Sequence, residues 1–350
     1  MAAVRGLATI AQLGEFDTLI DARSPSEFAE DRLPAAINCP VLDDEQRARV
    51  GTLYKQVSPF DARKVGAVLV ARNVATAIET RFTDRPRDWR PLVYCWRGGQ
   101  RSGAFSHILR EVGWDAHRLE GGYKRWRKHV IEQLADLPAR FDFRVISGAT
   151  GSGKSRVLEA LAACGAQMLH LEDLAAHKGS VLGNLPGRPQ PAQRGFESAL
   201  FAALAGFDPA RPVFVEAESR KIGRVHLPEA LITSIRKAPC LRVAASLPAR
   251  VDFLLRDYDY AVADPAWIQD CLRQLRGLQS NETLQRWAGM VAAGEFPTLV
   301  RELLEQHYDP LYQRSQDRNY QDFGSAGEYC TDDLSPAGIA ALAKSILTSA

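Results

Sequence analysis

Apolar residues along the chain fall into short runs suited to buried strands, separated by stretches with helical spacing. Thr18-Leu19-Ile20-Asp21 predicts a strand. Ser24-Pro25-Ser26-Glu27 then predicts a helix start, with Ser24 at the N-cap, proline at the first helical position and Glu27 closing a capping box. Pro91-Leu92-Val93-Tyr94 predicts a second buried strand running into Cys95. From Ser102 to Val112 the residues Ala104, Phe105, Ile108, Leu109 and Val112 share one helical face, and Gly113 stands where that helix should stop. A charged helical stretch covers about 123–137, with Pro138 just beyond it as a natural boundary. A strand over 141–146, a glycine-rich turn over 147–155 and a helix through Ala163 follow. Residues 211–216 and 240–245 predict further buried strands, and the chain reads as helical, without strands, from about Pro265 onward. Alternating strands and helices predict an α/β fold with mostly parallel sheets. The pattern divides into a domain over 1–137 and one over 138–350, the second ending in a helical C-terminal region.

The length of 350 residues agrees with two domains. No apolar run is long enough for a transmembrane helix, and the N-terminus lacks the apolar core of a signal peptide, which predicts a cytoplasmic protein. The six cysteines are scattered, with no C-x-x-C pair, so neither a disulfide scaffold nor a zinc knot is expected. Cys39, Cys164, Cys240, Cys271 and Cys330 read as structural, and the seven histidines show no metal-ligand spacing.

Cys95 has a different context. It ends a buried strand and opens the loop Cys95-Trp96-Arg97-Gly98-Gly99-Gln100-Arg101-Ser102, which leads into a helix. Loop N–H groups and the helix N-terminus stabilise a thiolate there. Gly98 and Gly99 permit backbone conformations closed to other residues, Ser102 closes the anion loop, and Arg97 and Arg101 offer donors to an oxyanion. The loop resembles that of rhodanese-type sulfurtransferases. Supporting the resemblance are Asp21-Ala22-Arg23 leading to Glu27-Phe28, the stretch Leu33-Pro34-Ala35-Ala36-Ile37-Asn38, and Leu119-Glu120-Gly121-Gly122-Tyr123. Asp31-Arg32 and Ala35 depart from the usual glycine-histidine and glycine. The cysteine-to-arginine spacing, C-x5-R, is one residue longer than in common rhodaneses and resembles the phosphate-cradling loop of dual-specificity phosphatases. Two chemistries remain open on these residues: a phosphatase, or a chalcogen transferase with a phosphorylated donor. Tyr94 stands where the phosphatases place a histidine.

A second loop, Gly148-Ala149-Thr150-Gly151-Ser152-Gly153-Lys154-Ser155, matches G-x-x-x-x-G-K-[ST] between a strand and a helix. Gly148, Gly151, Ser152 and Gly153 would cradle a diphosphate, Lys154 would reach its terminal phosphate, and Ser155 would hold Mg²⁺. Glu216 ends a neighbouring strand as the candidate carboxylate, and Arg220 follows as a phosphate contact. The pattern specifies a diphosphate without saying whether it belongs to ATP. Arg250 and Arg256 read as surface residues at least as readily as phosphate ligands.

A rhodanese-like domain joined to a P-loop domain resembles the tRNA 2-selenouridine synthase family. Val50-Gly51-Thr52-Leu53-Tyr54-Lys55-Gln56, the stretches 171–180, 190–197 and 216–223, and His307-Tyr308-Asp309-Pro310-Leu311-Tyr312 carry that resemblance. It implies a transferase acting on a 2-thiouridine derivative at the tRNA anticodon wobble position. Geranyl diphosphate first alkylates the sulfur, and selenium from selenophosphate then replaces the S-geranyl group through a selenenyl intermediate on Cys95. Both donors are co-substrates, and no tightly bound cofactor or resident metal is implied. The competing reading is a rhodanese-type sulfurtransferase fused to an ATP-dependent kinase-like domain. An adaptor that has lost catalysis is opposed by the intact Cys95, Arg101, Lys154 and Ser155.

Net charge is only +2, but residues 81–128 hold twelve Lys and Arg against five Asp and Glu, a local +7. Lys124, Arg125, Arg127 and Lys128 in this stretch predict a surface for the tRNA backbone, and Trp96 a platform for a splayed base.

Overall fold

Two separate five-stranded sheets organise the protein. The computed structural model describes residues 6–180, 182–319 and 327–349. The chain forms two compact units that divide between Gln133 and Leu134, within the helix Gly122–Asp136, so Pro138 falls in the second unit.

In the first unit β1 (Leu7–Ala8), β2 (Thr18–Asp21), β3 (Ile37–Asn38), β4 (Pro91–Tyr94) and β5 (His117–Leu119) form a parallel sheet in the order β1-β5-β4-β2-β3. All four β4 residues are buried, as a strand covered on both faces requires. Ile20 and Val93 meet Phe82, Trp89, Phe105, Leu109 and Trp114 in one core. The Trp89 and Trp114 rings pack edge to face at 5.1 Å. Their indole N–H groups donate to Thr18 Oγ1 and the Pro86 carbonyl, so neither polar tip is stranded by burial. Two helices without a strong apolar stripe, Asp44–Gln56 and Pro59–Arg81, pack on each other between β3 and β4.

In the second unit β6 (Phe143–Ser147), β7 (Gln167–Leu169), β8 (Val213–Glu216), β11 (Cys240–Ala244) and β12 (Gly327–Cys330) form a parallel sheet ordered β12-β11-β6-β8-β7, while β9 (Lys221–Ile222) and β10 (Val225–His226) make a small antiparallel hairpin. The strand β12 corrects the expectation that the chain beyond Pro265 lacks strands. Gly-Glu-Tyr-Cys has no apolar run because it is an exposed edge strand, held through backbone pairing of residues 327–330 with 241–244. The closing helix, Pro336–Ser349, packs against the helix Lys154–Ala163, burying Ile339, Ala343 and Ile346 beside Val157, Leu158 and Leu161. A second, all-helical core gathers Ala261, Ile268, Leu272, Trp287, Leu299 and Leu303. Among the described residues no helix is long and apolar enough to cross a membrane.

Candidate functional site: a cysteine loop and a phosphate loop

Cys95 lies one residue past β4 and is 3% exposed. The helix Gln100–Val112 begins at once, placing buried Ser102 in its first turn with Oγ 3.2 Å from Cys95 Sγ. The far side of the loop is closed by the chain after β5. Tyr123 N–H donates to the Cys95 carbonyl and Lys124 N–H to that of Trp96. Glycine is required at this crossing: a Cβ on Gly122 (φ +58°) would collide with the Cys95 carbonyl and the Gly98 amide, and one on Gly98 (φ +66°) would lie 2.6 Å from the Leu119 carbonyl. The Leu-Glu-Gly-Gly-Tyr stretch is thereby the lock of the cysteine loop.

The Asp-x-Arg pair seen in the sequence is scaffolding. Arg23, 1% exposed, pairs with Asp21 at 2.6 Å, donates to the Asp31 carbonyl and lies 3.9 Å from the Tyr123 ring centre. Tyr123 donates its hydroxyl to Asp31 Oδ2 at 2.8 Å and packs against Trp96 at 5.3 Å. Asp31, a departure from the rhodanese pattern, is therefore a buried acceptor for this network.

Of the predicted anion contacts, Arg97 and Gly99 are exposed, while Arg101 is held at 2.9 Å by Glu27, which also takes Arg47 at 3.0 Å. Burial alone would raise the Glu27 carboxyl, but Arg101 and Arg47 hold it below the usual value. As the structure stands, the Arg101 guanidinium is neutralised by the helix that the capping box begins. Trp96 is half-buried; Lys124, Arg125 and Lys128 are exposed and Arg127 is half-buried on the helix Gly122–Asp136. Lys128 lies 3.5 Å from Glu132.

In the second unit, the loop 148–153 joins β6 to the helix Lys154–Ala163. Lys154 Nζ turns back to the Gly148 carbonyl at 2.8 Å, and Ser155 Oγ donates to Glu172 at 2.7 Å. Glu216 is 1% exposed at the end of β8, where it accepts from Leu171 N–H and pairs with His170. Burial and the neighbouring Glu216 charge push the Glu172 carboxyl up, and burial with Glu172 and Glu216 pushes Glu218 well up. Burial lowers Lys154 against the opposing pull of Glu172 and Glu218. Glu172, Glu218 and His170 thus belong to this site. Glu218 is marked in the sequence as a second carboxylate at the strand end, two residues after Glu216; for Glu172 and His170 the sequence signal is the run His170-Leu171-Glu172-Asp173 directly after β7.

Two arginines differ from expectation. Arg250 is buried, donates to the Thr150 carbonyl at 2.8 Å and pairs with Asp309 at 2.6 Å, so it braces the loop rather than facing solvent. Arg220 is exposed and forms a two-bond pair with Glu229, which neutralises its charge in this structure. Arg256 donates to the Leu334 carbonyl. Of the other cysteines, Cys39, Cys240 and Cys271 are buried, whereas Cys164 and Cys330 are exposed, which removes a packing reason for those two.

His170 makes the site's pH response specific. Burial would lower its pKa, but the hydrogen bond and charge of Glu216, with Glu172 and Asp173, push it up to about 9. A raised histidine stabilises the fold fully below its unfolded value, near 6.5, and that contribution is lost as pH rises through about 9. The difference corresponds to at most about 3 kcal/mol. Chemical unfolding at pH 7 and pH 10 should show a larger loss for the native chain than for His170→Gln; equal losses would contradict the assignment.

The fold and site define a class: a rhodanese-like unit with a cysteine-centred loop, followed by an α/β unit with a phosphate loop. Comparison with known proteins agrees. Residues 7–129 match the rhodanese-like domain, and residues 141–270 match the tRNA 2-selenouridine synthase AAA domain. The tRNA 2-selenouridine synthase of Bdellovibrio bacteriovorus is 33% identical, covering 86% of this chain and 89% of that protein. That of Alcanivorax borkumensis is 34% identical over 84% and 88%, respectively. That of Nitrosomonas europaea is 37% identical over 72% of this chain and 66% of its own. The chain belongs to the tRNA 2-selenouridine synthase family.

Proposed function

We propose that the protein converts wobble 2-thiouridine derivatives of tRNA to 2-selenouridine in two steps, one at each loop. At the phosphate loop, the 2-thio sulfur attacks C1 of geranyl diphosphate, the C–O bond breaks and diphosphate leaves. Lys154 and the loop amides of 148–155 bind the diphosphate. Mg²⁺, if it accompanies the diphosphate, falls to the Ser155 hydroxyl. At the cysteine loop, the Cys95 thiolate attacks the selenium of selenophosphate and the Se–P bond breaks with its electron pair left on phosphorus, which is reduced and departs as phosphite. The terminal selenium of the resulting selenenyl-cysteine attacks C2 of the base and the S-geranyl group departs as geranylthiolate. A small-molecule thiol then attacks the Cys95 sulfur, the Se–S bond breaks with its electron pair left on selenium, and a second thiol reduces the mixed disulfide back to the Cys95 thiol. A thioether leaves more readily than a thiocarbonyl sulfur, so this reading needs no ATP.

One observation carries the reading: the chain holds two glycine-bearing loops of different chemistry, one built on a buried thiol beside Ser102 and one on a half-buried lysine. The test is product identity. Thiouridine-containing tRNA is incubated with each donor omitted in turn, then digested to nucleosides. S-geranyl-2-thiouridine should form with geranyl diphosphate alone and 2-selenouridine only with both donors. ATP consumption without either product would support the kinase-like alternative.

The exposed cations Lys124, Arg125 and Lys128 support tRNA as the partner. Replacing all three with alanine should weaken tRNA binding on the order of tenfold and reduce the slope of log K against log[salt] by about 2. Filter binding across a salt series checks this, and an unchanged slope would contradict an electrostatic role.

A further inference from the structure

Beside the phosphate loop lies a cleft with an unusual wall for a phosphate site. Thr150 forms one edge, and the rest comes mainly from the helices Leu247–Asp257, Asp259–Val262, Pro265–Arg273 and Phe296–Leu303. Its lining is mainly aliphatic and aromatic, with Leu254, Val262 and Val300 among it; besides Thr150 its hydroxyls are those of Ser180, Tyr258 and Tyr308, and it contains no carboxylate, carboxamide, lysine, arginine or histidine side chain. The cleft adjoins the loop closely: Leu254 Cδ1 lies 2.9 Å from the point a Cβ on Gly151 would occupy. It also opens on the helical core, since Ala261 and Ile268 belong to both.

A purine or pyrimidine presents donors and acceptors around its edge and is selected by groups that answer them, and an apolar wall leaves those groups unpaired at a cost. A hydrocarbon chain loses nothing there and gains about 25 cal/mol for each Å² withdrawn from water. Thr150 belongs both to the loop 148–153 and to the cleft lining, so a diphosphate held on 148–155 has this apolar cleft directly beside it.

We propose that the cleft is the subsite for the hydrocarbon chain of a diphosphate ester, and that Val262 and Val300 help set the chain length accepted. The proposal rests on the reading that the phosphate loop binds such an ester. It adds the residues that choose among prenyl diphosphates.

The experiment compares transfer to thiouridine-containing tRNA from dimethylallyl, geranyl and farnesyl diphosphates by the intact protein, Val262→Phe and Val300→Ala. Both positions are only partly buried, and a thermal melt of each variant reports on folding. Filling the cleft with Val262→Phe should shift kcat/KM toward the five-carbon donor by about tenfold relative to geranyl. Widening it with Val300→Ala should shift preference toward the fifteen-carbon donor several-fold. If folded variants transfer geranyl with unchanged relative preference, the cleft proposal is overturned while the diphosphate reading stands. If the intact protein transfers no prenyl group but hydrolyses ATP, the underlying reading fails and the cleft proposal with it.

Discussion

Cys95→Ser should abolish selenium incorporation, with a loss of a thousandfold or more, while S-geranylation stays within about twofold. The substitution is close to isosteric in a tightly enclosed place: Cys95 is 3% exposed, touches Ser102 Oγ and gives its carbonyl to Tyr123 N–H. The loop should therefore persist, and the defect is chemical. A serine hydroxyl ionises far less readily than a thiol and is a poor nucleophile toward selenium, so the environment built around Cys95 gains nothing from it. Presenting the variant with tRNA already carrying S-geranyl-2-thiouridine, plus selenophosphate, isolates the step. Substantial 2-selenouridine from Cys95→Ser would remove Cys95 from the chemistry.

Lys154→Ala should produce the opposite selectivity. Geranyl transfer is expected to fall on the order of a thousandfold, the scale seen when a positioned charge is removed from a reacting anion. In this protein the effect has a second source. Lys154 is the half-buried cation beside Glu172, Glu218 and Glu216, and without it three carboxyl groups confront the incoming diphosphate. In the structure the lysine rests on the Gly148 and Ala149 carbonyls, so binding requires it to exchange those two acceptors for phosphate oxygens. Initial rates with geranyl diphosphate measure the loss. Rates within tenfold of the native chain would refute a diphosphate role for this loop.

The two loops were legible in the sequence because each is written locally. Glycines, a preceding apolar run and a following helical face occur within about a dozen residues at Cys95 and again at Lys154. Among partners brought in by other strands, Glu216 was legible because it ends an apolar run, and Glu172 was not. Glu172 follows β7 and Glu218 follows β8, and only the parallel register of those strands brings them toward Lys154. Charge was also visible without its pairing. Arg101 and Arg220 could be read as cations, but their neutralisation by Glu27 and Glu229 depends on a helix cap and a hairpin folded beside a helix. Arg250 illustrates the converse: a nominal surface arginine is buried because Thr150 and Asp309 both accept from it. The edge strand β12 and the helix pair 44–81 are silent in the sequence for one reason: neither carries a continuous apolar signature, and backbone pairing or mutual packing holds them.

The central claim is that one chain performs two ordered transfers at two distinct loops. A time course with thiouridine-containing tRNA, geranyl diphosphate and selenophosphate, resolved as nucleosides by mass spectrometry, tests it most directly. S-geranyl-2-thiouridine should rise first and decay as 2-selenouridine appears; Cys95→Ser should halt at the first product and Lys154→Ala before it. Formation of 2-selenouridine without geranyl diphosphate, or without passing through the S-geranyl nucleoside, would contradict the account.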